Sequence, residues 1–260
     1  MKITNIPNYI AWWNQLGEKK NLLEMVGKNT RRKIKQLLQI TEENDLRMVV
    51  EEATDELAAK FFNVYKNFIS SQKSGKVYDV LQIIREKNTV KKYKFLSLYY
   101  RGEYRGGLLF SGEKGKIATA FKCYPHQIEG LKLPIGIAYL SDYYLVLYAA
   151  KNNLARINHG RDRNIYGVNS NPGLAMYKLT VGCKPFVSKA RDVEWVDFVV
   201  PDKNDRDILI FQASTKGEPI KQATLILFKT RKEEIPQVYG ALKNITDLQL
   251  EVIDRKTVLE

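Results

Sequence analysis

The sequence predicts a mixed α+β fold, a mostly antiparallel sheet flanked by helices. Three observations carry this. Apolar residues recur at helical spacing in several stretches, as in Leu57, Phe61, Val64, Tyr65 and Phe68. Between Tyr93 and Cys123 the period drops to two, in three short runs joined by turn residues. A strongly apolar helical stretch, a short strand and a short helix opened by Asn171-Pro172-Gly173 then follow.

In chain order, residues 8–40 read as helical, with Leu16, Leu22, Leu23 and Val26, then Ile34, Leu37 and Leu38, as the apolar series. Residues 46–52 read as a strand. Thr54 is placed to cap the next helix, and residues 76–87 give another. Tyr93–Tyr100, Tyr104–Phe110 and Lys116–Cys123 form an antiparallel meander, turning at Arg101-Gly102-Glu103 and Ser111–Gly115. Tyr124–Pro134 reads as a loop. Gly136–Ile157 is apolar at helical spacing, with Ser141 or Asp142 as its cap and a short strand at Ala155–Asn158. The helix from Asn171 runs to about Val181, and Gly182 ends it. Trp195–Val200, Ile208–Phe211 and Leu248–Ile253 are strand-like. Ile220–Phe228 fits strand or helix, and Ile235–Leu242 fits a helix. The terminal Val258-Leu259-Glu260 reads as a cloning remnant.

Ordinary soluble composition over 260 residues excludes a collagen-like repeat, a long disordered tail and a disulfide-stapled miniprotein. No apolar run is long enough for a membrane-spanning helix, and no secretory signal is visible at Met1–Pro7, so a cytoplasmic location is expected. Cys123 and Cys183 match no metal spacing and read as reduced structural thiols. Two histidines exclude a multi-histidine site, so no metal is expected. The net charge of +13 favours anionic partners. Eight basic and two acidic side chains fall in residues 1–40, densest at Lys28–Lys35.

The element order strand, two helices, three antiparallel strands, helix, short strand, helix resembles the core of the GNAT-like acyltransferase superfamily (the acyl-CoA N-acyltransferase fold). Local segments resemble its FemAB-like branch, whose members move aminoacyl or acyl groups onto amines in peptidoglycan-type chemistry. These segments are the basic run Lys28–Lys35, Lys151–Gly160, and Asn171–Gly182 with its Gly-Leu…Tyr-Lys…Gly pattern. The resemblance covers about residues 20–187. It implies a splayed sheet, a catalytic domain over 1–190 with a C-terminal α+β extension over 191–260 on the same core, and transfer from an activated donor to an amine on a small molecule or peptide. No tightly bound cofactor is implied. The donor is CoA-borne (CoA, acyl-CoA) or an aminoacyl-tRNA, because Gln127, Gly130 and Gly136 depart in spacing from the usual pyrophosphate-binding turn.

Within that frame, the donor's carbonyl is expected along Thr119–Cys123. Its phosphate end is expected near Gln127–Gly136, at the start of the central helix, where helix-end charge adds to Lys122 and Lys132. His159 is the candidate base and Asp162 a second one, since an acceptor amine must lose a proton. Tyr177 is the implied proton donor to the leaving group. Asn171 and Lys178 are placed to hold a phosphate or carboxylate. Lys28, Arg31, Arg32, Lys35, Arg161 and Arg163 are candidate contacts to a polyanion, tRNA included. The tyrosines Tyr99, Tyr100, Tyr104, Tyr124, Tyr139, Tyr143, Tyr144 and Tyr148 either line an acceptor cleft or pack a core. Trp12-Trp13 is a candidate for docking or membrane-surface contact. A non-catalytic GNAT-like module that binds nucleic acid or another polyanion stays open as the alternative.

Overall fold

The computed structural model describes residues 1–70, 77–113 and 115–255. Its strands and helices are, in order, β1 (Lys2–Pro7), β2 (Tyr9–Gln15), α1 (Lys28–Glu43), β3 (Leu46–Glu52), α2 (Asp55–Ser70), α3 (Val80–Lys91), β4 (Lys94–Tyr100), β5 (Glu103–Glu113), β6 (Lys116–Cys123), α4 (Ile137–Lys151), β7 (Arg156–Arg163), α5 (Pro172–Thr180), β8 (Lys184–Val187), β9 (Trp195–Val199), β10 (Ile208–Gln212), β11 (Gln222–Leu227), α6 (Ile235–Val238) and β12 (Gln249–Asp254). Short 3-10 turns lie at Leu22–Glu24, Lys232–Glu234 and Gly240–Asn244. The chain divides into two compact units, one of residues 15–158 and one of residues 1–14 with 159–260.

The unit of residues 15–158 is built on the expected meander. Strands β3, β4, β5 and β6 pair antiparallel in sequence order, and β6 then pairs parallel with the start of β7. Arg101 and Gly102, both at positive φ, make the tight β4–β5 turn. α2 starts where Thr54 Oγ1 accepts the Leu57 N–H at 3.2 Å, and Asp55 and Glu56 favour its positive end. Its buried stripe, Leu57, Ala58, Phe61 and Tyr65, packs with Phe95 and Leu109 of the sheet. Cys123 belongs to this core, and burial pushes its thiol up to about 12, so it is an inert packing residue.

In the other unit β1 pairs with β9, β2 with β8, and β10 with β11, all antiparallel, while β11 and β12 run parallel. Ile6, Ile165, Val200, Ile208, Ile210 and Ile226 form its aliphatic core. Asp207 closes this unit as a polar anchor. Its carboxylate accepts the N–H groups of Phe228, Lys229 and Thr230 at 2.7–3.2 Å and the Tyr239 hydroxyl at 3.2 Å. Burial alone would raise its pKa. The Thr230, Lys229 and Phe228 donors outweigh burial and hold the pKa below the usual carboxylate range. A depressed folded-state pKa stabilises above the unfolded value, and that contribution is lost as pH falls through the folded one. Asp207→Asn should therefore cost about 1–3 kcal/mol at neutral pH and flatten the acid limb of stability against pH, measured by urea unfolding from pH 7 to 3.

Several boundaries differ from the sequence expectation. Tyr9–Gln15 form a strand, not the start of a helix. Ile10, Trp12 and Asn14 are buried on one side, and Ile10 to Trp13 pair with β8, so tertiary pairing decides between two periods that the apolar run fits equally. β1 and β8 were not anticipated. The expected helix at 76–87 is α3, capped by Asp79, whose side chain accepts the Gln82 N–H at 2.9 Å; residue 76 lies outside the described residues. α4 begins at Ile137 with Gly136 as its N-cap residue, so Ser141 and Asp142 sit inside it, buried, rather than capping it. It ends at Lys151, with Asn153 in the left-handed region, and β7 then runs through Arg163, placing His159 to Arg163 in a strand rather than a turn. Ile220–Phe228 resolves to strand β11, and Ile235–Leu242 to one short helix and a 3-10 turn. Val258–Glu260 lie outside the described residues.

Candidate active site

In the unit of residues 15–158, the β6–β7 ladder has three pairs and stops at Ala118↔Asn158. Thr119 Oγ1 donates to Asn158 O at 3.0 Å where pairing ends. Opposite Leu109 and Phe110, β6 skips Ala120 in a β-bulge, which turns the strand away. The stretch expected to take the acyl group, Thr119–Cys123, therefore keeps β5 on one side and, among the described residues, forms no ladder pair with β7 on the other.

The α4 N-terminus has no side-chain cap and no acidic residue in its first turn. Its N-cap, Gly136, lines a groove of about 940 Å³ formed by residues 126–136, which include Gln127, Gly130 and Lys132. Gly130, at positive φ, lets the Leu131 N–H reach Ile128 O at 3.0 Å, so this segment is a tight turn anchored by buried Ile128. Lys122 is turned the other way chemically. Its ammonium meets Asp142 Oδ1 at 3.2 Å, and the Asp142 carboxylate is 2% exposed. Sequence reasoning placed Asp142 only as a cap; its partner lies across the fold, and no local spacing reveals it.

α1 carries Lys28, Arg31, Arg32 and Lys35. Arg31 donates to Val26 O and Arg32 to Asn29 Oδ1, and none of the four has an acidic partner among the described residues. Its first turn lacks both a side-chain cap and an acid. Cations at the positive end of a helix oppose its dipole, so this arrangement costs stability locally and concentrates positive potential.

In the other unit, Asp162 and Lys178 meet. Lys178 Nζ donates to Asp162 Oδ1 and Oδ2 at 2.8 and 2.9 Å and to His159 O at 3.3 Å, with both side chains about 10% exposed. The Tyr166 hydroxyl donates to Asp162 Oδ2 at 2.9 Å and accepts from Trp12 Nε1 at 3.1 Å. An indole N–H only donates, so it fixes the direction of this chain: Tyr166 must pass its own proton toward Asp162. Burial, then the Asp162 charge, raises the Tyr166 pKa well above its ordinary value. Trp12 is fully buried here, which removes it as a membrane-surface residue. Ile165, between these partners, has φ +60°, costly for a β-branched residue, and Asn164 Oδ1 holds its N–H at 2.9 Å.

The remaining expected residues are placed as follows. Arg161 grips Asp192 with two bonds of 2.6 and 2.8 Å and stacks on Tyr9 at 4.6 Å. Arg163 is exposed, and His159 and Tyr177 are half-buried. Asn171 caps α5, accepting the Gly173 N–H at 2.9 Å. Tyr124 is buried and donates to Leu96 O, and Tyr99 donates to Glu51, while the four α4 tyrosines are half-buried.

No family model and no curated protein sequence matches the chain. Among solved structures it is similar to FemX, at 11% identity and TM-score 0.51, over 74% of this chain and 61% of that one. A conserved protein of unknown function from Bacteroides thetaiotaomicron gives 11% identity, TM-score 0.49, and coverage of 76% and 61%. L-PGS from Bacillus licheniformis gives 13%, 0.44, and coverage of 76% and 60%. The chain thus spans about three fifths of the length of these proteins. The likeness to FemX, with the splayed, largely antiparallel sheet flanked by helices, gives the chain a GNAT-like fold. Among the described residues, no helix is long and apolar enough to cross a membrane.

Proposed function

We propose that the chain is an acyltransferase that moves an acyl or aminoacyl group from an activated donor to an amine, a reading that carries over the chemistry of FemAB-like enzymes. One observation carries it furthest: β6 is released from β7 after Ala118 and bulges at Ala120, beside an uncapped helix start and a groove large enough for a donor. Backbone N–H groups beyond the ladder need acceptors, and an acyl carbonyl supplies one. Gln127, Gly130, Lys132 and the α4 N-terminus are proposed to hold the donor's phosphate end, with Lys122 kept near by Asp142.

Proton removal is assigned to His159, and proton return to the leaving group to Tyr177. Asp162 has both oxygens engaged, so it is proposed to hold Lys178 in place rather than to act alone as a base. Asn171, Lys178, Arg161 and Arg163 are retained as anion-side residues. Residues 1–190 hold every proposed site residue. Residues 191–260 are proposed as an extension on the same core, a view supported by the packing of Ile6 and Ile165 with Val200, Ile208 and Ile226.

The test is direct titration with acetyl-CoA, CoA and an aminoacyl-tRNA. Binding of one donor, weakened about tenfold or more by Gly136→Glu, is the expected result. Absence of binding by all of them sinks the proposal. The α1 cations, which have no acidic partner among the described residues, favour a second reading, a polyanion-binding module. Neutralising Lys28, Arg31, Arg32 and Lys35 together should then lower the salt dependence of RNA binding by about 3 in log–log slope, with no donor turned over.

A further inference from the structure

A second groove, of about 770 Å³, lies against the first and shares the Gln127–Gly130 turn as a common wall. That volume is in the range of small-molecule sites. Its charged lining comes from the β4–β5 turn and from the shared wall: Arg101, Glu103, Arg105 and Glu129, with Tyr100 and Tyr104 behind them.

The charges are not equivalent. Arg105 and Glu103 neutralise each other at 2.5 Å. Arg101 has no carboxylate partner among the described residues; it stacks on the Tyr100 ring at 5.0 Å instead. Glu129, exposed on the shared wall, has no cationic partner among the described residues. The groove therefore presents one uncommitted cation and one uncommitted anion.

Arg101 is also held at a local cost. The turn needs positive φ at both central residues, and Arg101 adopts 51° beside Gly102 at 76°. Asparagine or glycine would sit there more easily, by about 1–2 kcal/mol. The Arg101 N–H is pinned to Asp45 O at 3.1 Å, which anchors the backbone of the turn from which the guanidinium reaches the Tyr100 ring. Below it, the Tyr104 hydroxyl is buried with no hydrogen-bond partner among the described residues, a polar atom that protein groups leave unsatisfied.

We propose that this second groove binds a small zwitterion of the α-amino-acid type, its carboxylate on Arg101 and its ammonium on Glu129. A purely anionic ligand would meet the uncompensated Glu129, and a purely cationic one the uncompensated Arg101, so the lining disfavours ligands of a single sign and suits one that carries both. Calling the ligand the acyl acceptor rests on the transferase proposal; its binding does not.

The experiment is calorimetric titration of the full chain with a panel of free L-α-amino acids up to about 10 mM. The N-acetyl and methyl-ester forms of the best binder follow. At least one free amino acid should bind, and each blocked form should bind about tenfold or more weakly. Arg101→Asn, which the left-handed turn accommodates, and Glu129→Gln should each weaken the free amino acid by a similar factor. Far-UV circular dichroism and unchanged thermal unfolding verify that both variants fold. No binding by any panel member overturns the proposal, as does equal binding of the blocked forms or by the two variants. Donor titration of the same samples reports separately: amino-acid binding without any donor binding upholds this site and removes the transferase reading.

Discussion

Asn164→Ala should lower the unfolding free energy by about 3–5 kcal/mol, among the largest losses expected from a single side chain in its unit. Asn164 is fully buried and all four of its side-chain bonding positions are used. Nδ2 donates to Pro7 O at 2.8 Å and Phe211 O at 2.7 Å; Oδ1 accepts from Ile165 N at 2.9 Å and Phe211 N at 3.1 Å. Truncation removes four hydrogen bonds to backbone groups where water does not reach, and it releases the restraint on Ile165. Asn164→Asp should cost nearly as much, since an acceptor-only group then faces two carbonyls. Urea denaturation checks both; a loss below 1 kcal/mol would show that the site takes in water and re-satisfies these groups.

Lys178→Met should cost about 3–5 kcal/mol by stranding the Asp162 carboxylate, and Asp162→Leu about as much by stranding the ammonium. The double variant should lose far less than the sum, because two apolar side chains remove both desolvation costs together. A double-mutant cycle by chemical unfolding measures the difference. If the pair also serves transfer, the double variant folds well yet loses turnover by orders of magnitude, which separates its structural role from its chemical one. Additive single losses would mean that the 2.8 Å contact carries little coupling.

What the sequence made legible followed from local chemistry. The meander is announced by Arg101-Gly102, α2 by Thr54, and α5 by Asn171-Pro172-Gly173, each a turn or cap whose partner lies within three residues. The turn and groove at the α4 start followed from the same kind of signal, Gly130 and Gly136 before an apolar helix; the donor role proposed for them is a separate matter. Long-range partners left no such mark. Asp142 looks like a cap until Lys122 crosses to it from β6. Asn164 carries no motif, because its bonds run to Pro7 and Phe211, 157 and 47 positions away. Tyr9–Gln15 satisfies helical and strand periods alike, and only pairing with β8 decides. The Trp12–Tyr166–Asp162–Lys178 chain assembles four segments, two of them read in other terms from the sequence alone.

α4 has one exposed residue, Lys151 at its last position; every other residue is buried or half-buried. A helix with so little exposed surface beyond its uncapped first turn frays little, so its interior amide protons are expected to exchange with solvent mainly when the surrounding unit opens. In deuterium-labelling time courses α4 is then the last segment to take up label, while the β4–β5 turn takes it up early. The groove at its N-terminus therefore abuts a slow-opening helix, while its own lining comes from the exposed turn before it. A ligand that docks there meets a surface already in place, and the entropic cost of ordering falls on the ligand rather than on the protein.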